Sequence, residues 1–287
     1  MNNLTDSNHF VLHKGLKIPG FFYGTAWKED QTERLTTLAL ASGFLAIDTA
    51  NQRRHYYEVG VGKAVQQALS ENRLQRSSLF LQSKFTFASS QDHRLPYEID
   101  ADFTNQVRQS FQSSLEHLGT SYLDSYLLHG PYSRDVLTEA DFEVWRAMEK
   151  LQQAGSVRLL GVSNVTIEQL RQLIESAEII PAFVQNRCYA NTKWDLEIRE
   201  LCLRHDIRYQ GFSLLTANSN FLKHPEVIKI SNRCECSPAQ IIFRFALQSG
   251  MIALTGTSNQ RHMLDDLAAC DIKLFDSEMA LIENIAD

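Results

Sequence analysis

No stretch of this chain approaches the roughly 20 consecutive apolar residues that a membrane span requires. The opening segment MNNLTDSNHF has no charged region leading into an apolar one, so a secretory signal is not expected and the expected setting is cytoplasmic. Basic charge is not in excess. The 28 Lys and Arg stand against 34 Asp and Glu, a net charge of −6, which argues against nucleic acid or an anionic membrane as a partner. Cysteine is scarce and odd in number: five residues, at 188, 202, 234, 236 and 270. Cys234 and Cys236 form C-E-C with no second pair elsewhere, so the thiols are expected to be reduced and no metal site is expected. Two phosphate-binding fingerprints are also missing. The first apolar run continues as GTAWKED, without G-x-G-x-x-G, and VGVGKAV does not match G-x-x-x-x-G-K-[ST]. A doubly wound nucleotide-binding sheet is thereby disfavoured. Gly60 and Gly62 are expected to serve close packing or a helix start.

What is present is an alternation. Short apolar runs cover 21–25, 44–48, 79–85, 121–130, 158–164, 182–187, 207–213 and 251–257. Amphipathic segments follow them at 30–42, 58–70, 104–118, 138–154, 166–177, 194–205, 238–248 and 259–269. Strands alternating with helices imply a parallel sheet, and eight such units in 287 residues predict a (β/α)8 TIM barrel. The segment FVLHKGLKIP before the first run reads as a β-hairpin that closes the barrel bottom. No linker or composition break divides the chain, so one domain over 1–287 is expected. Local signals support the helices. Thr138 with Asp141 and Thr166 with Gln169 resemble capping boxes, and Gly43, Gly119 and Gly155 follow periodic segments where a left-handed cap favours glycine. Val107, Phe111, Leu115 and Leu118 form one apolar stripe, and Phe142, Trp145, Met148 and Leu151 another; both read as core faces.

Barrel enzymes carry their reactive groups at the C-terminal ends of the strands. Those ends here are Gly24 and Thr25, Asp48, Lys84, His129, Ser163 and Asn164, Gln185, Phe212 and Ser213, and 255–257. Buried charges are costly unless paired, and Asp48 and Lys84 would satisfy each other. A tyrosine beside that lysine would feel a cation, which favours the ionised phenol and makes a proton donor usable near neutral pH. Each residue alone has a plainer reading: Asp48 as a turn cap, Lys84 as a snorkelling lysine, His129 as a core histidine. Their arrival at corresponding strand ends is what points to carbonyl chemistry.

At these residues the chain resembles the aldo-keto reductase family. IDTA with E-x-x-V-G is matched by Ile47–Ala50 and Glu58–Gly62, S-K by Ser83 and Lys84, and L-G-x-x-Y-L-D-x-Y-L-L-H by Leu118–His129. Gly161–Asn164 supply G-V-S-N, and Gln185 lies in V-Q-N-R. The resemblance implies a barrel that binds NAD(P)H in an extended pose and reduces aldehydes and ketones by hydride transfer. Its catalytic set would be Asp48, a tyrosine, Lys84 and His129, with His129 also orienting the substrate. Ser163, Asn164 and Gln185 would hold the nicotinamide carboxamide and Phe212 would stack on its ring. Gly24, Thr25, Asp48, Ser213 and Leu214 would complete that end of the cofactor site.

The chain departs from the pattern in three places. The family's tyrosine lies five residues after the aspartate, where this chain has Arg53; the loop to Val61 is two residues longer. Counting back from Glu58 puts His55 at that position with Tyr56 adjacent. Tyr56 is therefore the expected proton donor, with Tyr57 the second candidate and a pocket residue. Next, the phosphate stretch I-P-K-[ST] is replaced by Leu254, Thr255, Gly256 and Thr257, so its lysine has become Gly256, and His262 holds the register of its arginine. Backbone donors at the start of the next helix, with Thr257, Ser258 and Asn259, are expected to hold a phosphate, with Arg261 taking a 2′-phosphate, and Thr255, Gly256 and His262 complete the expected cofactor contacts. Asp265 and Asp266 fall near the adenine, where a carboxylate would repel that phosphate. NADPH is expected by family habit, with NADH left open. Lastly, the chain ends without the long tail that shapes some relatives' pockets. An open mouth is expected, bordered by Trp27 and the loops 85–96 and 214–224. The expected partner is a small-molecule carbonyl substrate, with a monomer or weak oligomer as the assembly. The rival reading, motivated by the altered tyrosine loop, is a non-catalytic barrel that binds cofactor as a sensor.

Overall fold

The computed structural model describes residues 9–286. A two-stranded antiparallel hairpin comes first, β1 (Phe10–His13) and β2 (Leu16–Pro19), with Phe10 opposite Pro19. Eight parallel strands then close into a barrel: β3 (Phe21–Gly24), β4 (Ala46–Asp48), β5 (Phe80–Phe85), β6 (Leu123–Leu128), β7 (Val157–Ser163), β8 (Phe183–Arg187), β9 (Arg208–Phe212) and β10 (Ile252–Thr255). Neighbours follow chain order from β3 to β10, and β10 pairs back with β3. All eight strand positions and the hairpin agree with the pattern of apolar runs.

Between the strands lie α1 (Thr32–Ser42), α2 (Glu58–Ser70), α3 (Phe103–Leu118), α4 (Glu139–Gln153), α5 (Ile167–Ser176) and α6 (Leu196–Arg204). After β9 come α7 (Pro225–Arg233) and α8 (Pro238–Gln248), and after β10 come α9 (Gln260–Ala268) and α10 (Asp276–Glu283). Both expected capping boxes are present, at Thr138 and Thr166. Gly119 closes α3 at φ 64°, where an L side chain would crowd its own carbonyl.

The helix α7 is not among the eight repeating units. Pro225 occupies its first turn, and Val227 and Ile230 bury its inner face. The sequence reading assigned one helix per strand and so passed over this extra nine-residue element.

Two apolar layers form. The larger fills the space between barrel and helices, including Trp145, Phe111, Phe243 and Trp194. The smaller lies inside the barrel, where Phe22, Phe80, Phe183 and Ile252 meet Ile18 of the hairpin. Ile18 has no exposed surface, so the hairpin seals the bottom. The reactive strand ends are left at the opposite, open end.

Helices α2 and α3 approach closely at Gly62. A Cβ there would lie 1.9 Å from the carbonyl oxygen of His117, so backbone would have to move. Gly62→Ala should therefore destabilise the protein by about 1–3 kcal/mol, the usual range for overpacking. Urea unfolding measures this, and an unchanged midpoint would show the contact to be slack.

Candidate active site

The site is built around Asp48, the last residue of β4. Its Oδ1 accepts hydrogen bonds from Lys84 Nζ at 2.6 Å, Gln82 Nε2 at 2.7 Å and Gln185 Nε2 at 3.0 Å. Lys84 also donates to the carbonyl of Thr49 at 2.9 Å and has no exposed surface. Lys84 and Gln82 are two apart on β5, so the pleat points both inward. Thr25 lies beneath, its hydroxyl donating to the backbone carbonyl of Asp48 at 2.9 Å.

Gln210 on β9 completes a belt across the barrel. It exchanges hydrogen bonds with Gln82 at 2.8 and 3.0 Å and accepts from Gln185 at 2.8 Å. Ser125 on β6 donates to Gln82 Oε1 at 2.7 Å. Neither Gln82 nor Gln210 figured among the sequence candidates. Each is a glutamine inside an apolar strand, LFLQSKF and RYQGFS, and lies two residues before a strand-end candidate; that signal was available.

His129 follows β6. Its Nδ1 lies 2.7 Å from the Thr86 hydroxyl. Burial, and after it the nearby Lys84 charge, hold its pKa well below the ordinary value, so the ring is neutral at physiological pH.

Residues 53–57 were the ambiguous part of the sequence. Of these, Tyr56 alone lines the central cavity. Its ring meets His129 edge-on, with centroids 5.7 Å apart, and its centroid lies 5.3 Å from Lys84 Nζ. Arg53 pairs with Glu29 at 3.3 Å and covers the Tyr57 ring at 4.6 Å. His55 stacks against Trp27, centroids 3.9 Å apart. Tyr57 faces a second cavity of about 360 Å³, between Glu58, Arg94 and His117, and not the central one. Its expected place in the substrate pocket is corrected accordingly: Tyr57 is the residue that caps the start of α2, and its ring lies under the Arg53 guanidinium on the second cavity.

The electrostatic expectation for Tyr56 is corrected as well. Its pKa is raised, not lowered, chiefly by burial and then by the Asp48 charge. Lys84 directs its ammonium at Asp48 and the Thr49 carbonyl, so the phenol has no bonded cation to favour its ionised form.

The central cavity has a volume of about 590 Å³, within the range of small-molecule sites. Asp48, Tyr56 and His129 line one part of it, with Gly24, Ser163, Asn164, Gln185, Phe212, Ser213 and Leu214. Thr255, Gly256, Thr257, His262, Asp265 and Asp266 line another. Trp27 also borders it, 71% exposed and held over the cavity by its stack on His55 and a bond from its N–H to the His55 carbonyl at 2.7 Å.

Three expected cofactor contacts do not reach the cavity wall. Thr25 is buried behind Asp48, Ser258 lies off the wall, and Arg261 points outward to Asp265 at 3.0 Å. The backbone N–H groups of Arg261 and His262 are taken by the Asn259 side chain, which caps α9. Asp266 accepts from Thr255 Oγ1 at 2.7 Å, and burial pushes its pKa up to about 6. The loop 214–224 contributes Leu214, Leu215 and Thr216 to the mouth; the loop 85–96 instead borders the second cavity through Arg94, Leu95 and Pro96. Ser237, Ala239 and Phe243, from α8 and its start, complete the wall and had no sequence signal beyond a capping box and a core stripe.

The five cysteines are unbridged. Among the described residues no helix is long and apolar enough to cross a membrane.

Comparison with known proteins places these features in context. A model of the aldo/keto reductase family matches residues 21–287. An uncharacterized oxidoreductase of Bacillus subtilis, YtbE, is 31% identical over 282 residues, covering 96% of this chain and 93% of the relative. The NADPH-dependent alpha-keto amide reductase of Saccharomyces cerevisiae is 28% identical, covering 89% and 83%. The crystal structure of an aldo/keto reductase from Brucella melitensis superposes with a TM-score of 0.80 at 28% identity, covering 97% and 99%.

The depressed His129 pKa has a measurable consequence. Unfolded histidine, near pH 6.5, takes up a proton that the folded ring resists. The unfolded state thus binds more protons below that pH, and stability falls as pH drops, by up to about 1.4 kcal/mol per unit for this group. His129→Gln should lose less stability between pH 7 and pH 5 than the wild type, read from urea midpoints. Equal losses in both proteins would show that the ring titrates normally.

Proposed function

The chain belongs to the aldo/keto reductase family and is an oxidoreductase, and from that premise we propose that it reduces an aldehyde or ketone to an alcohol with a nicotinamide dinucleotide. The observation that carries this reading is the meeting of Tyr56, His129 and the Lys84–Asp48 pair at one cavity. The bound dinucleotide would supply the hydride. The cavity suits such a group. It offers the Phe212 ring face beside the polar groups of Ser163, Asn164 and Gln185, and, farther along, the wall from Thr255 to His262 before α9.

In this reading Tyr56 gives its proton to the carbonyl oxygen. A raised pKa keeps the phenol protonated at neutral pH, the state a donor needs. The oxygen of an alcohol being formed is a stronger base than a phenolate, so the transfer runs downhill. Lys84 then faces the phenolate left behind, and its charge opposes the cost of that buried anion. His129, neutral and anchored by Thr86, directs its other ring nitrogen to the substrate oxygen; with the Thr86 hydroxyl donating to Nδ1, Nε2 carries the proton. The amide of Gln185 donates to Asp48 and Gln210, which leaves its Oε1 to accept from the nicotinamide carboxamide.

NADPH is the proposed cofactor, in keeping with the yeast relative named for it. The carboxylates of Asp265 and Asp266 on the same wall make NADH the alternative. A small carbonyl compound is the proposed substrate and the cytoplasm the proposed setting.

Consumption of NADPH and NADH with a reactive aromatic aldehyde tests the reading. Tyr56→Phe should lower turnover by about 10²–10⁴-fold, the usual worth of a positioned acid, while cofactor binding persists. Tyr57→Phe should turn over like the wild type. A wild type that binds cofactor and never oxidises it would make the protein a binding module.

A further inference from the structure

Cys234 and Cys236 stand apart from the other cysteines. Cys188, Cys202 and Cys270 are sealed in the core, whereas Cys234 and Cys236 are half-buried. Burial also pushes the three inner thiols up to about 12, which leaves almost none ionised at neutral pH.

The backbone brings the outer two together. Cys234 ends α7, and Glu235 follows in the left-handed conformation at φ 53°. The N–H of Glu235 donates to the Asn232 carbonyl at 3.3 Å and that of Cys236 to the Ser231 carbonyl at 3.0 Å, the paired bonds of a Schellman turn. Two residues apart, Cα atoms are at most about 7 Å from each other, and a turn that reverses the chain brings them within the roughly 4.4–6.8 Å that a disulfide spans. The two thiols already lie within hydrogen-bonding reach, with Cys236 donating to the Cys234 sulfur. The charge of Arg233 also favours the Cys234 thiolate, so Cys234 is the better nucleophile of the pair. Arg233 is itself anchored, its Nε and Nη2 donating to Glu278 at 2.7 and 2.6 Å.

We propose that Cys234 and Cys236 are a reversible redox pair that a peroxide closes into an intrachain disulfide. The Cys234 thiolate attacks one oxygen of hydrogen peroxide; the O–O bond breaks, leaving a sulfenic acid and, after proton uptake, water. The Cys236 sulfur then attacks the Cys234 sulfur. The S–O bond breaks, and the departing hydroxide takes the Cys236 proton as a second water. The two thiols lose two electrons, and the peroxide is reduced to two waters. A dithiol reductant reverses the bond by exchange. Burial holds both thiols above their usual range, Cys236 at about 11, so the bond forms slowly at neutral pH, and its sulfurs leave poorly once it has formed. Cys236 directly precedes Ser237, whose hydroxyl caps α8 and which lines the central cavity. The disulfide would thus fix the turn at the edge of that wall. The inference does not depend on the protein's being a reductase.

Exposure of the intact protein to hydrogen peroxide, followed by alkylation of the remaining thiols and peptide mass spectrometry, tests it. The peptide carrying both residues should lose about 2 Da, the two hydrogens given up, and dithiothreitol should restore it. This loss should run at least about tenfold faster than oxidation of Cys188, Cys202 or Cys270. Cys236→Ser should stop the loss and leave Cys234 as a sulfenic acid that a dimedone probe captures. Cys234→Ser should leave Cys236 alkylatable after the same exposure. Both thiols surviving a dose that oxidises glutathione in the same tube would overturn the proposal. So would a bond that joins two chains, or an inner cysteine that reacts first. Should either variant fail to fold, the wild-type peptide mass before and after dithiothreitol decides.

Discussion

The carboxylate of Asp48 and the ammonium of Lys84 meet at 2.6 Å with almost no access to water, and much of the barrel interior is arranged around that pair. Removing two charges from water costs several kcal/mol per ion, more than their attraction alone reliably returns. The remaining lone pairs and protons must therefore be satisfied. Gln82, Gln185 and the Thr49 carbonyl do this, and Gln210 and Ser125 hold the glutamines in turn. The pairing of β4 with β5 sets Asp48 beside Gln82, so the sheet register itself delivers the donors.

The barrel is consequently layered. Its lower part is apolar and shut by Ile18; its upper part is a connected polar belt; the cavity lies above. Each layer protects the next. The apolar plug shields the belt from water below, and the belt fixes the groups that face the cavity. The raised pKa of Tyr56 follows from the same arrangement, since a phenol near a buried carboxylate and away from water resists ionisation.

The mouth is governed by contacts between loops. Trp27, in a left-handed backbone conformation, rests on His55 and bonds to its carbonyl, which ties the first loop to the tyrosine loop. Lys28, the next residue, reaches the loop after β10. One short segment thus connects the reactive end of the cavity to the wall before α9.

The alternation of apolar runs and amphipathic segments was enough to place eight strands, the hairpin and most helices, because burial on both faces of a parallel strand and on one face of a helix leaves different periods in the sequence. The strand-end residues Asp48, Lys84, His129 and Gln185 were legible for the same reason: a polar group ending an apolar run is costly unless it has a partner. The extra helix α7 was not, because it breaks the repeat. The order of side chains in the loop 49–57 was not either. Sequence spacing left His55, Tyr56 and Tyr57 in competition. The start of α2 and the stack of His55 on Trp27 decided among them by turning two of the three away from the cavity. Nor did the sequence reveal that Lys28 lies against Gly256 across 228 residues, a contact that exists only because the barrel closes β10 onto β3. The chain by itself determined which groups end its strands; the closed barrel decided which of them face one another, since proximity across the mouth depends on packing and not on separation along the chain.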